Sequence, residues 1–395
     1  MATLLVAGSA LLGSVAVPVP AGSAPGPVPA ARGSRDPATR VAALEALSRT
    51  ADAQLAGAER NLADLRNRLG ALYAAETAAQ ARTDELGLAR RAAQVRADRA
   101  RAALAQLAAA AYRDGANVSN LSVLLRARSP LDAAYRRGLV RRSAEVRRAA
   151  VVEARAAERA LARATRRAAT ERERIRSDLV SVRTQTPQIE RRVDAARAKG
   201  LAARFWLARW RSVAGGTATP IRGQPVLGSE EMARWFRSTR GDRARTTVSI
   251  PELAGFYVEE GSAENVRSDI AFAQSILETA GFRFPDGGQV APVDNNFAGM
   301  GACDSCATGL RFPDARTGVR AQIQQLRVYA QPGLRNSMLA HPAVDPRLDT
   351  HFLRGRVPTW DGLTHTWATA DGYGDRILEI YCEMLAWLTD RAALG

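Results

Sequence analysis

The chain has 395 residues, 46% of them hydrophobic, and a formal net charge of +16, so it is long enough for more than one domain. Its basic residues are almost all arginine, with Lys199 the only lysine, and they mix with Glu and Asp without a long basic run. This pattern argues against a nucleic-acid partner. Beyond the N-terminus, no apolar run is long enough to span a bilayer.

Residues 1–24 are predicted to be a signal peptide. An apolar stretch from Leu4 to Val17 is followed by small residues that suit a signal peptidase, with cleavage after Ala21 or after Ala24. No Lys or Arg precedes the apolar stretch, which leaves an upstream start and an uncleaved anchor as alternatives. Residues 25–40 are predicted to be a flexible leader. The expected location is secreted or cell-wall associated, outside the cytoplasm.

Residues 41–210 are predicted to form a long antiparallel coiled-coil hairpin. Its first helix has apolar residues at every third or fourth position, typical of a coiled-coil seam with one stutter: Leu44, Leu47, Ala51, Leu55, Ala58, Leu62, Leu65, Leu69 and Leu72. A break near Gly115 and an apolar stretch from Leu121 to Leu125 form the expected tip. The second helix is predicted from Leu131 to about Lys199, with a kink at Pro187 and a possible C-cap at Gly200.

The part of the chain after the hairpin is predicted to be a separate, mostly helical domain. Residues 211–228 contain the linker-like segment Gly-Gly-Thr-Ala-Thr-Pro, and residues 229–395 are richer in Trp, Phe and Pro than the hairpin. The whole chain is therefore predicted to be mainly α. Since an exposed hairpin on a linker can shield a cleft, we expect the isolated domain to be at least as active as the full chain.

One acidic residue in this domain stands where a helix should end. A helix is predicted from an N-cap at Ser262 to about Ala280, with Glu278 in its last turn and Gly281 as the C-cap. The carbonyl groups at that end and partial burial both disfavour a negative charge, so we expect a raised pKa for Glu278. A general acid needs such a pKa. The alternative is an ordinary surface glutamate.

Three segments in order, residues 272–279, 294–301 and 367–373, resemble the bacterial glucosaminidases of glycoside hydrolase family 73. The resemblance covers about residues 247–390 and implies a lysozyme-like fold with Glu278 as the general acid of glycosidic cleavage. It also implies that the central turn borders the sugar cleft and that the last segment contacts the substrate. The predicted substrate-binding residues are Gln274, Asn295, Asn296, Phe297 and Tyr373. Ala280, Trp367 and Ala370 depart from the family's usual glycine, tyrosine and aspartate.

A second carboxylate is expected if the cleavage uses two acidic groups. The candidates are Asp286, Asp294 and Asp304. We expect Asp294 to be a structural turn residue, which leaves Asp286 and Asp304 open as the second carboxylate. The substrate's own N-acetyl group is the alternative to a protein nucleophile.

The cysteines are predicted to be structural. Cys303 and Cys306 form a CxxC for which we predict a disulfide, with pairing to Cys382 as the alternative. No metal site and no cofactor are predicted, because a zinc site needs four ligands and neither a second CxxC nor a pair of nearby histidines is present.

Residues 111–115, followed by Leu124-Leu125, resemble the tip of the coiled coils at the N-termini of exported peptidoglycan hydrolases. The resemblance implies that the coil regulates the enzyme or recruits it to a division-associated membrane complex. The predicted function is hydrolysis of the N-acetylglucosaminyl bond of peptidoglycan, with glycan strands as the partner. The alternatives are a cell-wall-binding scaffold without activity and a lytic transglycosylase.

Overall fold

A computed structural model describes residues 31–113, 126–302 and 308–392. The described residues are mainly helical, as the sequence predicts, and their extended segments form isolated β-bridges. The α-helices are α1 Pro37–Arg113, α2 Pro130–Arg211, α3 Ser229–Arg240, α4 Ile250–Glu264, α5 Ser268–Glu278, α6 Ala315–Ala330 and α7 Tyr373–Arg391. Short 3₁₀ turns occur at Gly216–Ala218, Pro292–Asp294, Asn336–Met338, Pro346–Thr350 and Asp361–Leu363.

Several predicted features lie outside the described residues. They are the signal peptide, residues 25–30 of the leader, the tip of the hairpin, and Cys303, Asp304 and Cys306. Across the part of the chain that the structure does describe, none of the helices combines the length and the apolar character needed to cross a bilayer.

Leu55–Asp194 forms one compact unit, in which α1 and α2 pair as an antiparallel hairpin. Arg183 donates to the Tyr73 hydroxyl at 2.7 Å, and Arg66 lies 3.9 Å from Glu190. A residue later in α1 therefore pairs with a residue earlier in α2, which makes the two helices antiparallel. The seam is apolar and buried, and it includes Leu62, Leu65, Ile175, Leu179 and Val182. The predicted long antiparallel hairpin is therefore confirmed.

The second helix of the hairpin is longer than predicted. α2 continues through Pro187 and Gly200 and ends at Arg211, so the prediction of a C-cap at Gly200 is wrong. Beyond the glycine, Trp206 and Trp210 are buried at helical spacing. A glycine inside a helix costs about 1 kcal/mol relative to alanine, whereas burying one large apolar side chain contributes about 1.5–3 kcal/mol. Tertiary packing therefore outweighs the local preference.

The segments on either side of Leu55–Asp194 form the second compact unit. Leu44 and Leu47 of α1 and the two tryptophans of α2 belong to the same hydrophobic core as α3 and α7. The buried guanidinium of Arg40 pairs with Asp390 of α7 at 2.7 Å, and the Trp210 indole donates to Thr389 at 3.0 Å. The boundary between the compact units therefore does not coincide with the predicted linker at residues 211–228.

The segment before Glu278 forms two helices where the sequence predicted one. α4 begins at the N-cap Ser249 and ends at Asn265, whose left-handed backbone, with φ of 50°, breaks the helix. Ser262 therefore lies inside α4, and its prediction as an N-cap is wrong. The chain restarts at Ser268, where the α-carbon of Gly261 approaches so closely that a methyl group there would lie 1.9 Å from the serine oxygen.

α5 is the central helix of this unit. Every residue from Ser268 to Ile276 is buried, and the helix packs against α4, α6 and α7. Its burial on all sides fixes the position of its last residue, Glu278, which carries the candidate chemistry.

Candidate active site

The end of α5 is built by a Schellman motif. The Gly281 N–H donates to the Ile276 carbonyl at 2.7 Å, and the Ala280 N–H donates to the Leu277 carbonyl at 3.4 Å, which are the paired bonds of this motif. Ala280 takes the left-handed position, with φ of 53°, and Thr279 is the C-cap. The prediction of Gly281 as the C-cap is therefore wrong by two residues, but the helix does end at Glu278.

The carboxyl group of Glu278 is largely buried. Burial raises the pKa of Glu278 above its ordinary value, while a hydrogen bond from Tyr373 and the charge of Arg376 act in the opposite direction and only reduce the rise. The direction agrees with the prediction from the helix-end position. A carboxyl group of this kind retains its proton at a higher pH than a solvated glutamate does.

Glu278 opens onto a pocket of about 290 Å³. The other residues that line the pocket come from the C-terminal end of α5 and from the loop after it: Thr279, Phe284, Pro285, Gly288, Gln289, Val290, Gly299 and Ala302. Gly299 has φ of 61°, and a methyl group on its α-carbon would lie 3.1 Å from Glu278 Oε2. The glycine therefore accounts for both the backbone conformation and the free space beside this oxygen.

Tyr373 contacts Glu278 from the protein interior, and Gln274 contacts Tyr373 in turn. The Tyr373 hydroxyl donates to Glu278 Oε1, and Gln274 Nε2 donates to the tyrosine oxygen at 2.9 Å. Burial and the neighbouring carboxylate raise the pKa of Tyr373 well above its ordinary value, so the phenol keeps its proton. Both side chains were predicted to contact substrate, but they are buried here and orient the acid instead.

Asn295, Asn296 and Phe297 form a buried turn next to the pocket. Asn296 Nδ2 donates to the Met300 and Leu310 carbonyls at 2.9 Å, and Phe297 packs on Phe282 at 6.1 Å between ring centroids. Asn295 accepts a hydrogen bond from Thr247 and has φ of 51°. Of these three side chains, Asn296 bonds the backbone on both sides of Gly299, at the Ala298 N–H and at Met300.

The second-carboxylate candidates lie in different settings. Asp286 is 97% exposed and pairs with Arg245 at 3.2 Å. Asp294 is buried, accepts from the Ala291 N–H at 2.8 Å and pairs with Arg311 at 2.9 Å, as expected of a structural turn residue. Asp304 lies outside the described residues. Among the described residues that line the pocket, Glu278 is the one that carries a carboxyl group.

Of the three cysteines, Cys382 lies among the described residues. The predicted disulfide joins two residues outside the described part of the chain, whereas Cys382 is a buried free thiol in α7. Burial raises the pKa of Cys382 to about 12, so it is unreactive. Over residues 31–113, 126–302 and 308–392, no group of three or more His, Cys, Asp or Glu side chains is arranged to hold a metal ion.

Two residues at this site were given no role from the sequence. Gly299 was part of the central motif, and its position after a buried turn is the signal that points to a close backbone approach. Gln322 of α6 donates to Gln274 at 2.9 Å and is fully buried. Gln322 follows Val319 by three positions, so it lies on the apolar stripe of the helix. A glutamine on such a stripe is expected to be buried and to make hydrogen bonds there.

The Glu278 site therefore consists of one largely buried carboxyl group, with a raised pKa, at a pocket in a mainly helical domain. No family model matches the chain, and no solved structure matches it. Over 139 residues, 35% of its length, the chain is 34% identical to an uncharacterized protein of Borreliella burgdorferi. It spans 64% of that protein's length.

Proposed function

We propose that this protein hydrolyses the N-acetylglucosaminyl bond of peptidoglycan, with Glu278 as the general acid. The observation that carries the proposal is the largely buried carboxyl of Glu278, with its raised pKa, at the pocket. The three segments that resemble family 73 glucosaminidases support it, since they contribute Glu278, Gly299 and Tyr373 to one site. The same resemblance supports a lysozyme-like fold for the domain.

The chemistry needs one proton and one water molecule. Glu278 donates its proton to the glycosidic oxygen as the bond between that oxygen and the anomeric carbon breaks. Water adds its oxygen to the anomeric carbon and returns a proton to the carboxylate, which leaves an N-acetylglucosamine reducing end. The positive charge that develops on the sugar is stabilised by a second carboxylate or by the substrate's N-acetyl oxygen.

Glu278→Gln tests the assignment. The amide retains the shape of the side chain but has no proton to give, so we expect the release of reducing ends from purified cell wall to fall by about 10²-fold or more. Glu379→Gln on α7 is the control, because it removes an exposed carboxylate of the same kind. Equal activity of Glu278→Gln and the unmodified protein would refute the assignment.

A lytic transglycosylase is the second candidate, because the described lining of the pocket supplies one carboxyl group and that reaction also needs one acid. Its products end in anhydro-muramyl groups, whereas hydrolysis leaves reducing ends. Mass spectrometry of the digest separates them. If neither product forms and the protein still binds cell wall, the domain is a glycan-binding scaffold.

We further propose that the protein acts outside the cytoplasm at the cell wall, and that the hairpin regulates or recruits it. The predicted signal peptide and the resemblance of residues 111–125 to coil tips of exported hydrolases support this, and both lie wholly or largely outside the described residues. Fractionation of cells that express the full chain tests the location. A protein confined to the cytoplasm would contradict it.

A further inference from the structure

A chain of polar side chains extends behind Glu278 into the core. Tyr257, Gln274, Ser275 and Gln322 are 0% exposed, and Tyr373 is 3% exposed. A buried polar group costs free energy unless its hydrogen bonds are made, so a cluster of this size needs a reason. Either hydroxyl can donate in the contact between Tyr257 and Ser275, at 2.5 Å. Along the path from Gln322 through Gln274 and Tyr373 to Glu278, each bond has a defined donor and acceptor.

The direction of hydrogen-bond donation is set at one end of the cluster by a backbone carbonyl. Gln322 Nε2 donates to the Ala271 carbonyl at 3.2 Å, and a carbonyl can only accept, so the amide of Gln322 is held in one orientation. Its oxygen accepts from Tyr257 at 2.7 Å and from Ser275 at 3.0 Å. Its second N–H is thereby directed to Gln274 Oε1, at 2.9 Å.

The same orientation passes through Gln274 and Tyr373. Because the oxygen of Gln274 accepts from Gln322, its nitrogen must face the tyrosine, to which it donates at 2.9 Å. The tyrosine oxygen is then an acceptor, and its only hydroxyl hydrogen goes to Glu278 Oε1. Oε1 is therefore held as the accepting oxygen of the carboxyl group.

We propose that Gln322 is a positioning residue that, through Gln274 and Tyr373, holds Glu278 so that its transferable proton lies on Oε2, facing Gly299 and the pocket. The inference rests on the proposed role of Glu278 as the general acid and adds which oxygen carries the proton. Gln322 is not among the residues that line the pocket, so it acts only through the two side chains between.

Gln322→Met tests the proposal, because methionine has similar length and no strong hydrogen-bonding group. The fixed donation from Tyr373 lowers the pKa of Glu278, so its loss should raise that pKa, measured by NMR of ¹³C-labelled glutamate carboxyl groups. With the proton no longer fixed on Oε2, kcat at the optimum should fall about tenfold with little change in KM. The alkaline limb of the kcat profile should move to higher pH.

Gln324→Met is the matched control. Gln324 is 0% exposed and lies on the same helix, but it bonds the His341 and Pro342 carbonyls at 3.1 and 3.2 Å and the Val344 N–H at 2.9 Å. Its loss should cost stability comparable to that of Gln322 and leave the pKa of Glu278 and kcat unchanged. Equal shifts in both variants would mean a merely structural role for Gln322 and would overturn the proposal.

A double variant tests whether Gln322 acts on Glu278 through Tyr373. In a Tyr373→Phe background the last bond is already absent, so adding Gln322→Met should change the pKa of Glu278 no further. The same shift in both backgrounds would overturn the route through Tyr373. Because the titration needs no substrate, a protein that shows these shifts and leaves cell wall intact would keep the positioning and refute the proposed hydrolysis.

The unmodified protein provides a measurement that does not depend on the folding of any variant. With selectively labelled glutamine, the side-chain NH₂ protons of Gln274 should show NOEs to the Tyr373 ring, and those of Gln322 to the Ala271 region of α5. NH₂ protons of Gln274 that face Gln322 instead would reverse the direction of donation and overturn the proposal.

Discussion

At the scale of single residues, the site depends on one carboxyl group that is held away from water. Glu278 ends a buried helix, so its charged form loses solvation, and Tyr373 supplies only a partial replacement. A glutamate with this environment stores an unfavourable free energy of ionisation at neutral pH. If Glu278 is the general acid, as proposed, catalysis and stability place opposite demands on the same side chain.

This conflict predicts a pH-dependent stability effect of Glu278→Gln. A raised folded-state pKa means that the carboxyl contributes its full stability below its unfolded value near 4.5 and loses it as the pH rises through the folded value. Glutamine carries no such penalty. Relative to the unmodified protein, the variant should therefore gain free energy of unfolding between pH 4 and pH 7.5, as measured by urea denaturation at both values.

The control is again Glu379→Gln, which removes an exposed charge from the same unit. It corrects for the change in net charge, which acts in both variants. A gain of equal size in both variants, or a decline for Glu278→Gln as the pH rises, would show that burial of Glu278 does not oppose its ionisation.

The helix-end position of Glu278 and the direction of its pKa shift were predictable from the sequence, whereas the burial of its neighbours was not. Its place at a helix end and the residues around it gave both the position and the direction of the pKa shift. Gln274 and Tyr373 were predicted as sugar contacts from the resemblance to the glucosaminidases. Whether such a side chain faces solvent or the core depends on packing between distant helices, here α5 and α7, which a local pattern does not contain.

At the scale of helices and turns, the errors of prediction occur where the helices end. The sequence favoured Ser262 as a start and Gly200 as a stop, because serine caps helices and glycine ends them. The structure instead ends α4 at Asn265 and α5 before Ala280, both with positive φ. The two hairpin helices and the helix that carries Glu278 exist where the apolar spacing predicts them, but helix ends are decided by close tertiary contacts such as that of Gly261 with Ser268.

At the end of α5, one residue has a strained backbone conformation that a substitution can relieve. Ala280 has φ of 53°, a left-handed conformation in which a side chain is unfavourable and glycine is not. Ala280→Gly should therefore raise the free energy of unfolding by about 1 kcal/mol, measured by urea denaturation. Ala198→Gly, at an exposed position inside α2, should instead lower it by about the same amount. A loss at both positions would contradict the assigned backbone conformation of Ala280.

At the scale of the whole molecule, the division into parts differs from the one that the composition favoured. The change in composition near residue 205 predicted a hairpin, a linker and a separate domain. Contacts instead join the first turns of α1 and the last turns of α2 to the helical domain, through Leu44, Leu47, Trp206 and Trp210 in one core. Composition reports local chemistry and does not report which distant segments share a core.

This shared core predicts the opposite of the expectation that the isolated domain is at least as active as the full chain. Removing the hairpin ends strips several buried side chains from the core, each contributing about 1.5–3 kcal/mol, from a domain whose total stability is of the order of 5–15 kcal/mol. Residues 229–395 alone should therefore be unfolded or aggregated, as judged by near-UV circular dichroism and size-exclusion chromatography. A chain that joins residues 31–54 to 195–392 through a short Gly-Ser loop keeps the shared core and should fold with a cooperative thermal transition. If the shorter piece folds equally well, the hairpin ends only rest on a domain that is complete without them.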